Sequence, residues 1–226
     1  MTQSGLWIVV PAYQEAAQIE RTLSDLAAYL PRLVVVDDGS SDATSASAAR
    51  AGAVVLRHAV NLGQGAALQT GIDYALRNGA THVCTFDADG QHDSDSIGRM
   101  FAALVGDEAH VALASRFLGT TTGMPALRRA ALRIAVYLTR LHTGLKLTDT
   151  HNGLRIFTRE AARRTTIRQC GMAHGSEILS GIAREKLRYI EVPTVVHYTE
   201  YSRRKGQSLS NGINILFDLL YAAWSR

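Results

Sequence analysis

The sequence contains no run of about 18 uninterrupted apolar residues, the length that a membrane-spanning helix requires. The best candidate, residues 212–224, is too short and includes Asn214 and Asp218. Only two cysteines occur, Cys84 and Cys170, and they form no CxxC pair. This argues against a zinc or disulfide scaffold and fits a reducing cytosol. The four prolines are scattered, so no proline-rich linker divides the chain.

The composition is that of a globular protein with a large core. The chain has 226 residues, of which 46% are hydrophobic and 19% charged. Charge is distributed unevenly, because residues 1–127 contain 7 Lys/Arg and 13 Asp/Glu, whereas residues 128–168 contain 10 and 2. Such a distribution predicts a carboxylate-rich site beside a surface that binds anions. No basic residue precedes the short apolar run 6–10, so we do not expect a signal peptide.

Apolar runs alternate with segments of helical spacing over the first half of the chain. This pattern predicts strands at residues 6–10, 33–36, 53–56, 82–86 and 111–114, and helices at residues 16–30, 42–51, 65–76 and 97–105. The alternation indicates an α/β fold with a parallel central sheet and helices on both faces. Beyond a loop at residues 119–125, we predict a basic helix (127–141), a strand (154–157), a helix (177–185), a strand (189–198) and a C-terminal amphipathic helix (210–226).

Polar clusters follow the predicted strands, at the edge where such sheets bind ligands. Asp87 and Asp89 come directly after the fourth strand, and Gln91 follows them. Two carboxylates in this position can hold one Mg²⁺ or Mn²⁺ ion, with diphosphate oxygens completing its coordination. The alternative is a solvated acidic turn. Placement at the carboxyl end of a strand favours the metal site.

Three other features permit two interpretations each. In the loop 37–42, Asp38 is a candidate acceptor for a base or ribose, while Ser41 or Asp42 can cap the next helix. Residues 63–67 contain a GxG sequence followed by two alanines, but they follow the third strand and not the first, so a dinucleotide site is not favoured over a tight turn. Glu177 begins a predicted helix, where it either favours the helix dipole or acts as a base.

Taken in order, seven motifs resemble those of GT-A fold glycosyltransferases of family 2, and most closely those of polyprenyl-phosphate (dolichyl-phosphate) sugar transferases. The motifs are PAYQE at 11–15, VDDGSSD at 36–42, NLGQGA at 61–66, DADGQH at 87–92, SRF at 115–117, DTHNGLRIF at 149–157 and RRKGQS at 203–208. The resemblance covers residues 6 to about 209. Each motif alone is weak, but the ordered set is specific.

The resemblance implies a role for individual residues. A nucleotide-sugar donor is expected at Pro11, Tyr13, Glu15, Asp38, Gly63, Asp87, Ala88 and Asp89, with Mg²⁺ or Mn²⁺ held by Asp87, Asp89 and Gln91. An anionic acceptor is expected at Arg116, Arg129, Arg133, Arg203 and Ser208, where Arg133 replaces a serine of the family pattern. Asp89, Arg116 and Glu177 are the expected catalytic residues.

The resemblance also implies an organisation and a reaction. Residues 1–209 would form the catalytic domain, with a nucleotide-sugar-binding half (1–118) and an acceptor-binding half (119–209). The expected reaction is metal-dependent, inverting transfer of a hexose to a polyprenyl phosphate. The alternative is transfer to a saccharide hydroxyl in cell-surface polysaccharide assembly, with Glu177 as base. A binding module without turnover is disfavoured by the intact Asp87/Asp89 pair.

Binding partners follow from the same considerations. Nucleic acid is not expected, because the sequence lacks a recognition motif and its first half is acidic. We expect a cytoplasmic protein at the inner face of the membrane. Either the basic helix around residues 128–140 or the C-terminal helix would lie on the lipid surface, or the C-terminal helix would pair with a membrane protein.

Overall fold

The computed structural model describes residues 5–171 and 173–198. Its centre is one seven-stranded sheet with the order β3-β2-β1-β4-β6-β5-β7. The strands are β1 (Leu6–Ala12), β2 (Leu33–Asp37), β3 (Val54–Arg57), β4 (His82–Thr85), β5 (Val111–Thr122), β6 (Arg155–Thr158) and β7 (Tyr189–His197). All pairs are parallel except those of β6, which runs antiparallel to both β4 and β5. Arg203, Ser208 and the predicted helix 210–226 lie outside the described residues.

Helices cover both faces of the sheet, as predicted. They are α1 (Ile19–Asp25), α2 (Thr44–Arg50), α3 (Gln64–Arg77), α4 (Asp95–Gly106), α5 (Ala126–Thr143), α6 (Arg159–Arg164) and α7 (His174–Arg184). Neighbouring side chains of β1 point to opposite faces: Ile8 and Val10 pack with α1, α2 and α4, whereas Val9 packs with α3, α6 and α7. Because both faces are covered, the central strands are continuous apolar runs.

Two helices differ from the prediction. The single helix predicted over residues 16–30 is instead α1 followed by a 3-10 turn at Ala27–Tyr29. Pro31 explains why the 3-10 turn ends at Tyr29, since the residue before a proline is forced out of the helical conformation, and Leu30 has a ψ of 142°. Helix α6 was not predicted, because six residues are too few to show helical periodicity. Its start is nevertheless capped, with Thr158 Oγ1 accepting from Ala161 N at 3.2 Å.

Strand β5 is the largest departure from the predicted elements. The prediction ended it at Ala114 and placed a loop at residues 119–125, whereas β5 continues to Thr122. Its pairing with β7 shifts register between Ser115 and Thr120, and this irregularity interrupts the apolar pattern in the sequence. Arg116 lies within this irregular stretch. Among the described residues, no helix is both long and apolar enough to cross a membrane.

Candidate active site

Asp87 lies at the carboxyl end of β4 in a position that two neighbours define. Gln64 Nε2 donates to its Oδ1 at 3.2 Å, and His92 Nε2 lies 3.1 Å from its Oδ2. A Cβ on Gly153 would come within 2.1 Å of Asp87 Oδ2, so only glycine fits beside this carboxylate. Burial opposes ionisation of Asp87, but the His92 contact and the charges of His174 and Arg155 lower its pKa below the ordinary value.

Asp89 has the opposite electrostatic environment. Its Oδ1 accepts from Gln91 N at 3.0 Å. Burial, followed by the charge of Asp87 and a smaller contribution from Glu15, raises the pKa of Asp89 to about 6. Three carboxylates therefore share one partly desolvated region, where a cation would be stabilised.

These donors fit a hard divalent cation. Residues 5–171 and 173–198 contain no group of three His, Cys, Asp or Glu side chains arranged to hold a metal alone. Mg²⁺ is commonly bound by one or two carboxylates together with substrate phosphates and water, and Asp87 and Asp89 supply that part. The backbone of Gln91 holds Asp89 and also accepts from His197 N at 2.9 Å. A metal contact from its side chain stays a prediction.

Asp38 organises the loop that follows β3. Its carboxylate accepts from Leu62 N at 2.9 Å and from Gly63 N at 2.7 Å, and its Oδ1 lies 2.7 Å from His58 Nδ1. Gly63 has a φ of +98°, and a Cβ there would lie 2.3 Å from the carbonyl oxygen of Cys170. Asp38 thus shapes the loop 61–63. Direct contact between Asp38 and a nucleotide stays a prediction.

The other residues expected at the donor differ in accessibility. Glu15 is only 7% exposed, whereas Tyr13 is 43% exposed just beyond β1. Pro11 is buried in β1 opposite Val36. Ala88 is buried and its carbonyl accepts from Thr22 Oγ1 at 2.9 Å, so its side chain belongs to the core.

A cavity of about 530 Å³ lies beside β5 and α5. It is lined by Arg116, Phe117, Gly119, Thr120, Thr121, Arg129, Arg133, Val136, Tyr137, Arg140 and Thr148. Four of these residues are arginines and none is a carboxylate. We call it the arginine cavity. Arg129 Nη2 donates to Thr121 Oγ1 at 3.3 Å, and the Arg133 guanidinium lies 5.9 Å from the centroid of the Phe117 ring. Its composition favours an anionic ligand.

Arg116 is fixed in the wall of this cavity. It is 6% exposed and donates through Nε to Asp149 Oδ2 at 2.6 Å and through Nη1 to the Tyr198 hydroxyl at 2.7 Å. Its Nη2 donates to the carbonyl of His151. Three of the five N–H groups of a guanidinium are thereby used, which leaves two for a ligand. Asp149 keeps the buried guanidinium group of Arg116 paired and oriented.

Two charged residues without a predicted role support this arrangement. Arg155, on β6, is buried, and burial lowers its pKa to about 10 against the attraction of Asp87 and Asp149. Arg155 therefore stays charged at neutral pH and interacts electrostatically with both Asp87 and Asp149. Glu191, on β7, accepts from Thr148 N at 2.8 Å and Asp149 N at 3.0 Å, which holds the segment that carries Asp149. The sequence signal for both is a charged residue inside an otherwise apolar strand.

Glu177 holds a neighbouring loop in place. Its Oε2 accepts from Arg168 N at 2.9 Å and from Gln169 N at 2.8 Å. The same loop meets the start of α3, where Gly65 N donates to the Cys170 carbonyl at 2.8 Å. These contacts give Glu177 a structural role, and its action as a base stays a prediction.

The fold and the paired carboxylates agree with the sequence comparison. The chain belongs to glycosyl transferase family 2, whose family model matches residues 7–166. It is therefore a glycosyltransferase of that family. A protein of unknown function from Methanocaldococcus jannaschii is 35% identical, over 97% of this chain and 93% of that protein. A UDP-N-acetylglucosamine–dolichyl-phosphate N-acetylglucosaminyltransferase from Methanococcus voltae is 28% identical, over 97% of this chain and 96% of that enzyme.

Solved structures share the GT-A architecture. Glucosyl-3-phosphoglycerate synthase from Mycobacterium tuberculosis, solved with phosphoglyceric acid, matches with a TM-score of 0.72 at 18% identity, covering 97% of this chain and 80% of that one. The same enzyme solved with Mn²⁺ and UDP-glucose matches with a TM-score of 0.69 at 20% identity, over 96% and 80%. At this identity the likeness establishes the fold alone, and it confirms the predicted α/β class.

Proposed function

We propose that this protein transfers a hexose from a nucleoside-diphosphate sugar to the phosphate of a polyprenyl phosphate. The observation that carries the proposal is the pairing of two regions of opposite charge. Asp87, Asp89 and Glu15 form an acidic region at the ends of β1 and β4. The arginine cavity has Arg116 in its wall, paired with Asp149, and buried Arg155 interacts electrostatically with both Asp149 and Asp87.

The acidic region suits the donor. Asp87 and Asp89 would hold Mg²⁺ or Mn²⁺, which when bound neutralises charge that develops on the leaving diphosphate. Asp38 shapes the loop 61–63, and glycine is required at position 63, where a Cβ would lie 2.3 Å from the Cys170 carbonyl oxygen. Relatives support this part: one is named for a UDP-sugar donor, and a structural relative was solved with Mn²⁺ and UDP-glucose.

The arginine cavity suits a phosphate acceptor. The arginines of the cavity can hold the acceptor phosphate through charge-assisted hydrogen bonds. In that position, one oxygen of the phosphate attacks the anomeric carbon of the donor sugar. A bond forms between that oxygen and the anomeric carbon. The bond from this carbon to the diphosphate oxygen breaks, and the nucleoside diphosphate leaves with the electron pair. Attack opposite the leaving group inverts the anomeric centre.

A saccharide hydroxyl acceptor finds less support. Such an acceptor needs a base to take its proton, whereas a phosphate is already ionised at neutral pH. The arginine cavity has no carboxylate in its lining, and Glu177 is bonded to the backbone of the loop 168–169. The name of the Methanococcus relative, a dolichyl-phosphate transferase, also favours a lipid phosphate.

A direct assay tests the proposal. The protein is incubated with Mn²⁺, a panel of labelled sugar nucleotides, and either a polyprenyl phosphate or the corresponding unphosphorylated polyprenol. We expect label in the organic phase with the phosphate only. Label that instead appears on an added oligosaccharide, with no lipid product, would favour the hydroxyl acceptor and contradict the proposal.

Replacing arginines of the cavity should weaken acceptor binding selectively. We expect Arg129→Gln and Arg133→Gln each to raise the KM for the polyprenyl phosphate about 10-fold or more, because a hydrogen bond to a charged group contributes roughly 1.5–3 kcal/mol. The KM for the sugar nucleotide should change little. Arg77→Gln, on the exposed surface of α3, is the matched control. Unchanged acceptor KM in both cavity variants would contradict the assignment.

Glu191 should act on the acceptor through Asp149 and Arg116. In Glu191→Gln, one oxygen that accepts from Thr148 N becomes an NH₂ group, so the segment carrying Asp149 loses part of its anchor. We expect the acceptor KM to rise several-fold and the donor KM to stay constant.

The pH profile provides a second measurement. Burial raises the pKa of Glu191, so acidification should weaken acceptor binding by the wild type before ordinary glutamates protonate. The Gln variant should lack this step. A variant that loses stability but keeps both KM values and the wild-type pH profile would show a structural role only.

A further inference from the structure

Helix α5 exposes an apolar stripe to solvent. Leu127 is 72% exposed, Ile134 56%, Tyr137 62% and Leu141 67%. Spacings of seven, three and four residues place these side chains along one face of the helix. We call this face the α5 stripe. Single exposed leucines are ordinary, but four large apolar side chains on one helix face mark an interaction surface.

The α5 stripe does not contribute to the core of the domain. A different face of α5 is buried, through Leu132, Ala135, Val136 and Thr139. That face provides the apolar packing by which the helix is attached to the domain. The outward leucines and isoleucine therefore need an explanation other than folding.

The charge of α5 indicates what covers the stripe. The helix contains Arg128, Arg129, Arg133 and Arg140 and no Asp or Glu. Within residues 5–171 and 173–198, none of these four arginines forms a salt bridge. Arg128 stacks on the Tyr198 ring, 5.0 Å from its centroid. A helix with an apolar face and arginines but no acids is typical of a segment that lies in the interface of an anionic membrane.

The arginines occupy a defined flank of the stripe. On a helical projection, Arg129, Arg133 and Arg140 fall between the buried face and the apolar stripe. The same three arginines line the arginine cavity. If the stripe enters a bilayer at the boundary between headgroups and acyl chains, these arginines and the cavity lie at the level of the lipid phosphates.

We propose that α5 is the surface by which this protein binds an anionic bilayer. The α5 stripe lies in the lipid, and the flanking Arg129, Arg133 and Arg140 lie among the headgroup phosphates. The inference goes beyond the proposed reaction and does not require it, because it predicts binding to lipids that are not substrates. It assigns membrane contact to α5 on its own, whatever residues 199–226 contribute.

Vesicle flotation of the full-length protein tests this surface. The vesicles are phosphatidylcholine alone or with 30% phosphatidylglycerol, without sugar nucleotide or polyprenyl phosphate. We expect wild-type protein to float with the anionic vesicles at low salt and to be released as salt rises. Ile134→Ser/Leu141→Ser, which leaves the arginine cavity untouched, should reduce the partition coefficient at least about 10-fold. The control Val60→Ser/Leu62→Ser removes two exposed apolar side chains elsewhere and should bind as the wild type does.

Two further results would overturn the inference. Equal flotation of wild type and Ile134→Ser/Leu141→Ser would move the contact to another part of the chain. A dimer in light scattering that this variant converts to a monomer, without flotation of the wild type, would mean that a second copy covers the stripe. Activity separates the inference from the proposed reaction: the variant should keep its rate on a short, water-soluble prenyl phosphate and lose rate on acceptor embedded in vesicles.

Discussion

Asp89→Asn should lose at least about 100-fold in kcat and, without metal, should be more stable than the wild type at neutral pH. The loss follows from removing a carboxylate that would hold the cation opposite the leaving diphosphate, an effect on the order of 3–4 kcal/mol. The gain follows from burial and the charge of Asp87, which raise the pKa of Asp89 to about 6. Asn keeps the Oδ1 that accepts from Gln91 N.

The sign of the pH effect can be stated in advance. The folded protein binds the Asp89 proton more tightly than the unfolded chain, in which an aspartate carboxyl has its ordinary pKa of about 3.9. Wild-type stability should therefore fall as pH rises from about 4 to above 6. In Asp89→Asn this decrease should be absent, so the melting temperatures should converge near pH 4 and separate by a few degrees at pH 7.

The measurements are thermal melts in EDTA across this pH range and kinetics at saturating Mn²⁺. Asp107→Asn, at the exposed end of α4, is the control for loss of one carboxylate. Near-normal turnover of Asp89→Asn at saturating Mn²⁺ would show that Asp89 is not a metal ligand. A wild-type melting temperature that does not depend on pH between 4 and 7 would contradict the electrostatic account.

Much of the fold could be predicted because its strands are buried on both faces. β1, β2 and β4 are short apolar runs, and each is followed by a polar cluster that contains Asp or Pro. The prediction places each of them within two residues of its observed bounds. The end of β5 could not be predicted in this way. Its second half is half-exposed and pairs with β7 only after a register shift, so neither an apolar run nor strict alternation marks it.

The candidate site likewise contains residues that the local sequence places and residues that it does not. Asp87 and Asp89 follow a strand directly, so local sequence is sufficient to place them. Asp149 and Glu191 act through contacts with residues 33 and 43 positions away, which only the assembled sheet creates. Arg116 was assigned from a local motif, yet its orientation depends on Asp149, Tyr198 and the His151 carbonyl. Long-range polar contacts of this kind have no periodic signature in the sequence.

Asp149→Ala should be the most destabilising single change at the site. It leaves the buried guanidinium of Arg116 without its carboxylate partner, and breaking such a pair from one side costs about 3–5 kcal/mol. A fall in melting temperature of roughly 10 °C is the corresponding order of magnitude for a chain of this size. The exposed pair of Glu160 and Arg164 provides the control, since Glu160→Ala should cost under about 1 kcal/mol.

A double variant separates the contribution of the ion pair to stability from its contribution to activity. Arg116→Met/Asp149→Ala removes both charges, so it should recover much of the stability that Asp149→Ala loses, as expected when an unpaired buried charge is the cause. It should remain inactive, because the cavity no longer has its fixed guanidinium. Recovery of stability without activity would mean that the pair is kept for binding rather than for folding. If the double variant is as unstable as Asp149→Ala alone, the cost arises from the hydrogen bonds that Asp149 makes to the backbone of Arg116 and His151, and the ion pair is not its source.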